Sequence, residues 1–207
     1  MAQSTKFWDR MAKRYARSPV SNQDAYQQKL KVTQQYFRPD MEVLEFGCGT
    51  GTTAITHSAY VKHIQAIDFS AKMLAIAQGK ADAANIKNLT FRRSGIEDFE
   101  APDESFDVIM GHSILHLLED RDAVITRVFA LLKPGGVFVS STICMSGTAR
   151  IMRFLLPIGH SVGLLPLVRF FSVDELVAGI QSAGFDIDHH WQPRGDSAVF
   201  IVAKKPG

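Results

Sequence analysis

The stretch Met41-Glu-Val-Leu-Glu-Phe-Gly-Cys-Gly-Thr-Gly51 constrains this chain more than any other. Val43, Leu44 and Phe46 are apolar and β-prone, and they predict a buried strand. Gly47, Gly49 and Gly51 then fall at alternate positions. Glycine tolerates positive φ and lets another group approach the backbone where a Cβ would collide. Thr52 to Ile55 reads as the first turn of a helix. A strand, a tight glycine turn and a helix N-terminus together form a nucleotide-type site in open α/β sheets. Glu45 stands at the carboxyl end of the strand, where an acid can accept hydrogen bonds from a ligand cation or hydroxyl.

A second acid strengthens this reading. Val61-Lys-His-Ile-Gln-Ala-Ile-Asp68 predicts another strand, and Asp68 ends it about twenty residues after the first glycine, the distance at which a dinucleotide-fold acid takes ribose hydroxyls. The glycine spacing is G-x-G-x-G, and Thr52 stands where the third glycine of the G-x-G-x-x-G form would be.

Four segments in order carry a family resemblance: Glu-Phe-Gly-Cys-Gly-Thr-Gly, Ala-Ile-Asp-Phe-Ser, Ser-Phe-Asp-Val-Ile and Leu-Leu-Lys-Pro-Gly-Gly-Val-Phe. The chain resembles class I S-adenosylmethionine-dependent methyltransferases, and is most similar to their small-molecule, ubiquinone/menaquinone-type branch. The resemblance runs from about Phe7 to Lys204. It implies an α/β fold, a Rossmann-like seven-stranded and mostly parallel sheet with helices on both faces and an antiparallel C-terminal edge hairpin. It implies one domain over 1–207, with a helical lid in 1–37 and an apolar cover in 145–171. The implied cofactor is S-adenosylmethionine, with S-adenosylhomocysteine as product.

The same resemblance distributes roles. Gly47, Gly49 and Gly51, with Cys48 and Thr50 between them, bring backbone against the methionine and ribose portions. Glu45 helps to hold the amino-acid part, and Asp68 accepts from both ribose hydroxyls. Phe69 and Ile96 sandwich the adenine, and Met73 lies near the adenosine. Gly95 is a departure, because it stands where the family commonly has an Asp on the exocyclic amine. The contact then passes to Glu97 or water, or rests on the Ile96 backbone and apolar packing. Gly111 and His112 face the sulfonium or the acceptor. Tyr15 with Trp8 shields the reaction from water; an ordinary solvated helix packed by its aromatics is the alternative for that segment.

Local signals predict the remaining elements. Helices are expected over 4–17, 22–37, 52–59 and 71–84, the last capped by Ser70. Strands are expected over 88–93, 105–112 and 137–142, with Lys133-Pro-Gly-Gly136 as a turn. Asp120 caps a helix running to Leu132, and Ser172-Val-Asp-Glu175 is a capping box. Two strands, one ending near Trp191 and one over 198–203, turn at Gly195-Asp196. Asp107 is expected to make structural hydrogen bonds at the start of its strand.

Methyl transfer needs a general base only when the acceptor must lose a proton. His112 is the base candidate by position. His189 and His190 have no carboxylate or cysteine at ligand spacing, and Cys48 and Cys144 lie far apart, so no metal site is predicted. A net charge of +2 without a basic run points away from nucleic acid. The N-terminus lacks the apolar core of a signal peptide, so a cytoplasmic protein with reduced thiols is expected. Residues 145–171 are too interrupted by Pro157, Pro166 and glycines to span a membrane; peripheral membrane contact, a substrate cover, or a packed helix and loop stay open. So do the acceptor atom, whether oxygen, nitrogen, carbon or sulfur, and the oligomeric state. The competing functions are a nicotinamide-dependent oxidoreductase and a non-catalytic adenosyl-nucleoside binder that holds a partner through 145–171.

Overall fold

The computed structural model describes residues 2–20, 22–144, 165–193 and 198–207. Seven strands form one sheet: β1 (Glu42–Phe46), β2 (His63–Asp68), β3 (Leu89–Arg93), β4 (Phe106–His112), β5 (Leu132–Ile143), β6 (Asp186–Trp191) and β7 (Ala198–Lys204). Their order is β3-β2-β1-β4-β5-β7-β6. The first five run parallel, and β7 lies antiparallel between β5 and β6. This is the Rossmann-like sheet with an antiparallel edge hairpin that the motifs imply. The strand order reverses between β1 and β4. In such sheets ligands bind outside the carboxyl ends at that reversal, and the segments leaving it here are the glycine loop and His112.

Six α-helices accompany the sheet among the described residues: α1 (Ala2–Arg17), α2 (Gln23–Gln34), α3 (Thr52–His57), α4 (Ala71–Ala83), α5 (Arg121–Leu131) and α6 (Val173–Ser182). Alternation along the strands divides the core between two faces. Leu44, Phe46, Ile109 and Phe138 pack with Ile125 and Val128 of α5 and Ile180 of α6. Val43, Ile64, Val108 and Met110 pack with Ala54 of α3 and Leu74 of α4, and Val32 of α2 lies against them. Both faces are covered, which is why these strands read as nearly continuous apolar runs.

The predicted caps form at Ser70 and Asp120, which accept the backbone N–H groups of Met73 and Ala123; Asn22, expected as the first residue of its helix, instead caps it by accepting from the Ala25 amide. Ser172 and Glu175 make the reciprocal capping box. Asp107 Oδ2 accepts from the Glu42 amide and from Lys133 Nζ, each at 2.8 Å, tying the starts of β1, β4 and β5 together.

Some boundaries differ from the sequence reading. α2 ends at Gln34 rather than Phe37, and α3 ends at His57 with a 3₁₀ turn over Ser58–Tyr60. β5 starts at Leu132, five residues before Val137. The Lys133-Pro-Gly-Gly136 turn is absorbed as an irregularity opposite Phe106 and Val108. Gly135 there has φ +72° and donates to the Lys205 carbonyl at 3.1 Å, a tertiary bond that local pattern does not reveal. The Gly195-Asp196 turn and most of the 145–171 cover lie outside the described residues. Among those described, no helix is long and apolar enough to cross a membrane.

Candidate active site

The glycine loop closes on itself and on β2. The Cys48 amide donates to Ile67 O at 3.1 Å, and the Gly51 amide to Cys48 O at 3.0 Å. Gly47, Gly49 and Gly51 hold φ of +65°, +54° and +72°, a region costly for residues with a Cβ. What surrounds them differs. A Cβ on Gly51 would stand 2.8 Å from the Ala77 Cβ, and one on Gly47 would stand 2.7 Å from Ile114 Cγ1. One on Gly49 would meet only Tyr15 Cε1, at 3.8 Å. Gly51 and Gly47 are therefore also required by packing, whereas Gly49 is the glycine beside which room is left. Cys48 is buried and its thiol is pushed well up by burial. Thr50 is buried too, and its hydroxyl accepts from Lys80 Nζ at 3.1 Å.

Asp68 is 8% exposed and already engaged. Its Oδ2 accepts from the Gly49 amide at 2.9 Å and its Oδ1 from the Ser70 amide at 2.8 Å. Burial raises its carboxyl pKa, and the two amides act against that rise. Each oxygen keeps a second lone pair, so the pair of amides aims the carboxylate without saturating it. Glu45 is 2% exposed, and its Oε2 has no hydrogen-bond partner among the described residues. Burial pushes its carboxyl up to about 8, opposed by a hydrogen bond from the Ala54 amide and reinforced by Asp68. A buried orphan acceptor is costly, and here it sits beside the glycine loop.

A cleft of about 260 Å³ opens from Asp68. Phe69, Gly95, Ile96 and Glu97 line it with Gly47, and Trp8 of α1 closes one side. Trp8, Gly47, Asp68, Phe69, Gly95, Ile96 and Glu97, all given site roles in the sequence reading, thus meet at one cavity. Met73 does not line it; this residue is 2% exposed in the buried face of α4. A larger cavity of about 660 Å³ lies between α5 and α6, beside Arg121, Phe171 and Glu175, and none of the predicted site residues reaches it.

α1 covers the loop, and a polar contact at the start of α4 holds it there. Asp9 Oδ1 accepts from Ser70 Oγ at 2.6 Å and from the Lys72 amide at 3.1 Å. The Trp8 and Tyr15 rings meet edge to face at 6.2 Å between centroids. Burial raises the Tyr15 hydroxyl pKa, and the charges of Asp68 and Glu45 raise it further.

On the other side of the strand-order reversal, Gly111 and His112 differ in kind. A Cβ on Gly111 would collide with the Phe46 ring, so packing alone requires a glycine here. His112 has a buried Nε2 without a partner among the described residues, and burial together with the Lys29 charge draws its pKa down to about 4. His112 is opposite Ser141 in the β4–β5 pairing, and Ser141 Oγ accepts from Lys29 Nζ at 2.9 Å. Tyr26, one turn before Lys29, shares a hydrogen bond with Thr53 at 3.3 Å. Asp9, Lys29 and Ser141 carry no functional signal in the sequence, and Tyr26 reads only as a helix-face residue. Their partners are 61, 112 and 27 positions away, and no local spacing encodes such contacts.

His57 is fully buried with neither ring nitrogen partnered among the described residues, and it meets Phe37 edge to face at 5.0 Å. Burial, then the neighbouring His112, lowers its pKa from 6.5 to about 3. In the unfolded chain it protonates at higher pH than in the fold, so acid favours unfolding. Stability is expected to be intact above about pH 6.5 and to decline as pH falls toward the folded value. Urea unfolding across that window checks this, and His57→Phe is expected to flatten the decline. An unchanged pH dependence would assign it to His112, His116 and other groups.

A family model described as a methyltransferase domain matches residues 37–162. A malonyl-[acyl-carrier protein] O-methyltransferase of Bacillus cereus is 36% identical over 104 residues, covering 49% of this chain and 37% of that protein. A ubiquinone biosynthesis O-methyltransferase of Cereibacter sphaeroides is 27% identical over 155 residues, covering 70% of this chain and 60% of that protein. The matches thus span less than two thirds of either relative. The crystal structure of YcgJ from Bacillus subtilis aligns with a TM-score of 0.72 at 18% identity, over 87% of this chain and 99% of that one.

Proposed function

This chain belongs to the methyltransferase-domain family, and on that premise we propose that it binds S-adenosylmethionine beneath α1 and methylates an oxygen of a small molecule. The observation that carries the reading is Asp68. Its two oxygens are pre-set by the Gly49 and Ser70 amides at the mouth of the cleft that Phe69 and Ile96 line. The names of two of its relatives, both O-methyltransferases, support oxygen as the acceptor atom.

The residues fit the group. Asp68 would take the ribose hydroxyls, and Phe69 and Ile96 would flank the adenine with Gly95 and Glu97 beside it. The orphan Glu45 Oε2 supplies an acceptor for the ammonium of the amino-acid part, and a bound cation lowers the cost of ionising that carboxyl. When bound, S-adenosylmethionine supplies a methyl group activated by a sulfonium. The chain's own contribution is to position, to exclude water and to manage a proton. Trp8 closes one side of the cleft, and Tyr15 meets Trp8 edge to face beside Gly49. His112, whose pKa is drawn down to about 4, is neutral near pH 7 and can receive the proton of an acceptor hydroxyl at Nε2. His112→Ala is expected to lower kcat by about 10²–10⁴-fold, the scale of a lost general base, with S-adenosylhomocysteine affinity unchanged. Equal losses in both would make His112 a binding residue.

Parallel calorimetric titrations with S-adenosylmethionine, S-adenosylhomocysteine and NAD test the reading. Saturable binding of the two adenosyl compounds with none for NAD supports it, and NAD binding alone would overturn it. Transfer of labelled methyl to an acceptor then separates an enzyme from a binder, since fold alone does not set activity.

A further inference from the structure

We propose that the outer face of α1 is a docking surface for an anionic lipid bilayer. The inference goes beyond the methyltransferase reading and does not depend on it.

Charge is the first support. Lys6, Arg10, Lys13, Arg14 and Arg17 are all exposed, and none of them is ion-paired among the described residues. At 3.6 residues per turn the five fall within an arc of about 100°, so they form one stripe along the helix. Away from that stripe Ala12 is fully buried, and Asp9, the one acid of α1, is held by Ser70 and the Lys72 amide. Several basic residues elsewhere are matched instead: Lys62 pairs with Glu42, Lys133 with Asp107 and Lys204 with Asp188. α1 has five basic residues and one acid, whereas the net charge of the whole chain is only +2. The rest of the chain is therefore net negative, and positive charge is gathered on this helix. Lys72 and Arg93 extend it, since the charges of both are felt at Asp9.

Shape and hydropathy are the second support. A stripe on the outer side of one helix is convex and straight, running about 16 Å from Lys6 to Arg17, so a plane can meet all five cations at once. Apolar groups stand beside them. Phe7 and Met11 are only half-buried, and at the end of the helix Tyr15 is 49% and Val20 45% exposed. Cations flanked by aromatic and aliphatic side chains suit the boundary between headgroups and acyl chains; a purely polar polyanion would leave the apolar groups in water. Only α1 then separates the lipid surface from the cleft that Trp8 closes.

The test sediments the full chain with vesicles of phosphatidylcholine alone or with one third phosphatidylglycerol. Partition onto the mixed vesicles is expected to be at least tenfold stronger than onto the neutral ones, and to weaken as salt rises. Two double variants remove equal charge: Arg10→Gln/Lys13→Gln on the stripe, and Lys31→Gln/Lys87→Gln at exposed positions elsewhere. The first is expected to lose about 25-fold in partition, roughly fivefold for each cation removed, and the second to stay close to the parent. Equal partition onto both kinds of vesicle, or equal losses in the two variants, would overturn the inference. No partition onto the mixed vesicles would also overturn it, and would leave the stripe to an acidic protein or a nucleic acid.

Discussion

Asp68→Ala is expected to weaken S-adenosylmethionine binding by about 1–3 kcal/mol, the scale of a lost charged hydrogen-bond partner. That corresponds to roughly five- to 150-fold in Kd. The structure adds a second consequence. Asp68 is the acceptor for the Gly49 and Ser70 amides, and the variant strips both of their partner. The melting temperature should therefore fall along with the affinity. Asp68→Asn separates the two effects. Its carbonyl can still accept one of the amides, but its NH₂ faces the other, and it has lost the charge. Calorimetry and thermal unfolding on both variants check the expectation. Affinity unchanged in Asp68→Ala would remove the ribose assignment, while a lower melting temperature with normal affinity would leave Asp68 as a purely structural clamp.

Gly111→Ala is expected to cost about 1–3 kcal/mol of stability, the range for adding a methyl group to a filled core. The added Cβ would lie 2.4 Å from Phe46 Cζ and 2.8 Å from Cε1. Phe46 cannot easily move aside, since it is 1% exposed and stacks on Phe138 at 6.4 Å between centroids. β4 sits between β1 and β5, so the backbone cannot yield without disturbing two ladders. Phe46→Leu in the same chain makes room and is expected to recover part of the loss. Urea unfolding of the two single variants and the double variant measures this coupling. Additive losses would show that the ring and the glycine are independent. Normal stability with weakened ligand binding in Gly111→Ala would return Gly111 to a ligand-facing role.

That glycine marks the boundary of what the chain discloses before it folds. Gly47, Gly49 and Gly51 were legible because strand, turn and helix start follow one another within a few residues, each leaving a local signature. Asp68 was legible by its distance from them, and the caps Ser70, Asp120 and Ser172 by their side chains at helix starts. Gly111 shows only that a side chain is absent; whether a ring or a ligand uses the space depends on Phe46, which sits on a neighbouring strand. The long β5 was hidden for a similar reason, because its bulge at Gly135 is secured by the Lys205 carbonyl near the end of the chain. Lys29 lies in the polar run Gln27-Gln28-Lys29-Leu30-Lys31, where nothing distinguishes it from Lys31 until Ser141 is brought beneath it.

The reversal of strand order between β1 and β4 divides the candidate site into two flanks. Asp68, Phe69 and Ile96 hang from one flank of that seam, at β2 and the turn after β3, while His112 and Ser141 hang from the other, at β4 and β5. The two flanks communicate through neighbouring backbone, yet the clamp on Asp68 is made by Gly49 and Ser70 and by nothing on β4 or β5. Inheritance can act on them separately. Substitutions at Lys29 or Ser141 leave the clamp on Asp68 intact, because its two amides come from Gly49 and Ser70. The order of the strands thus lets one flank change in sequence while the other keeps its geometry.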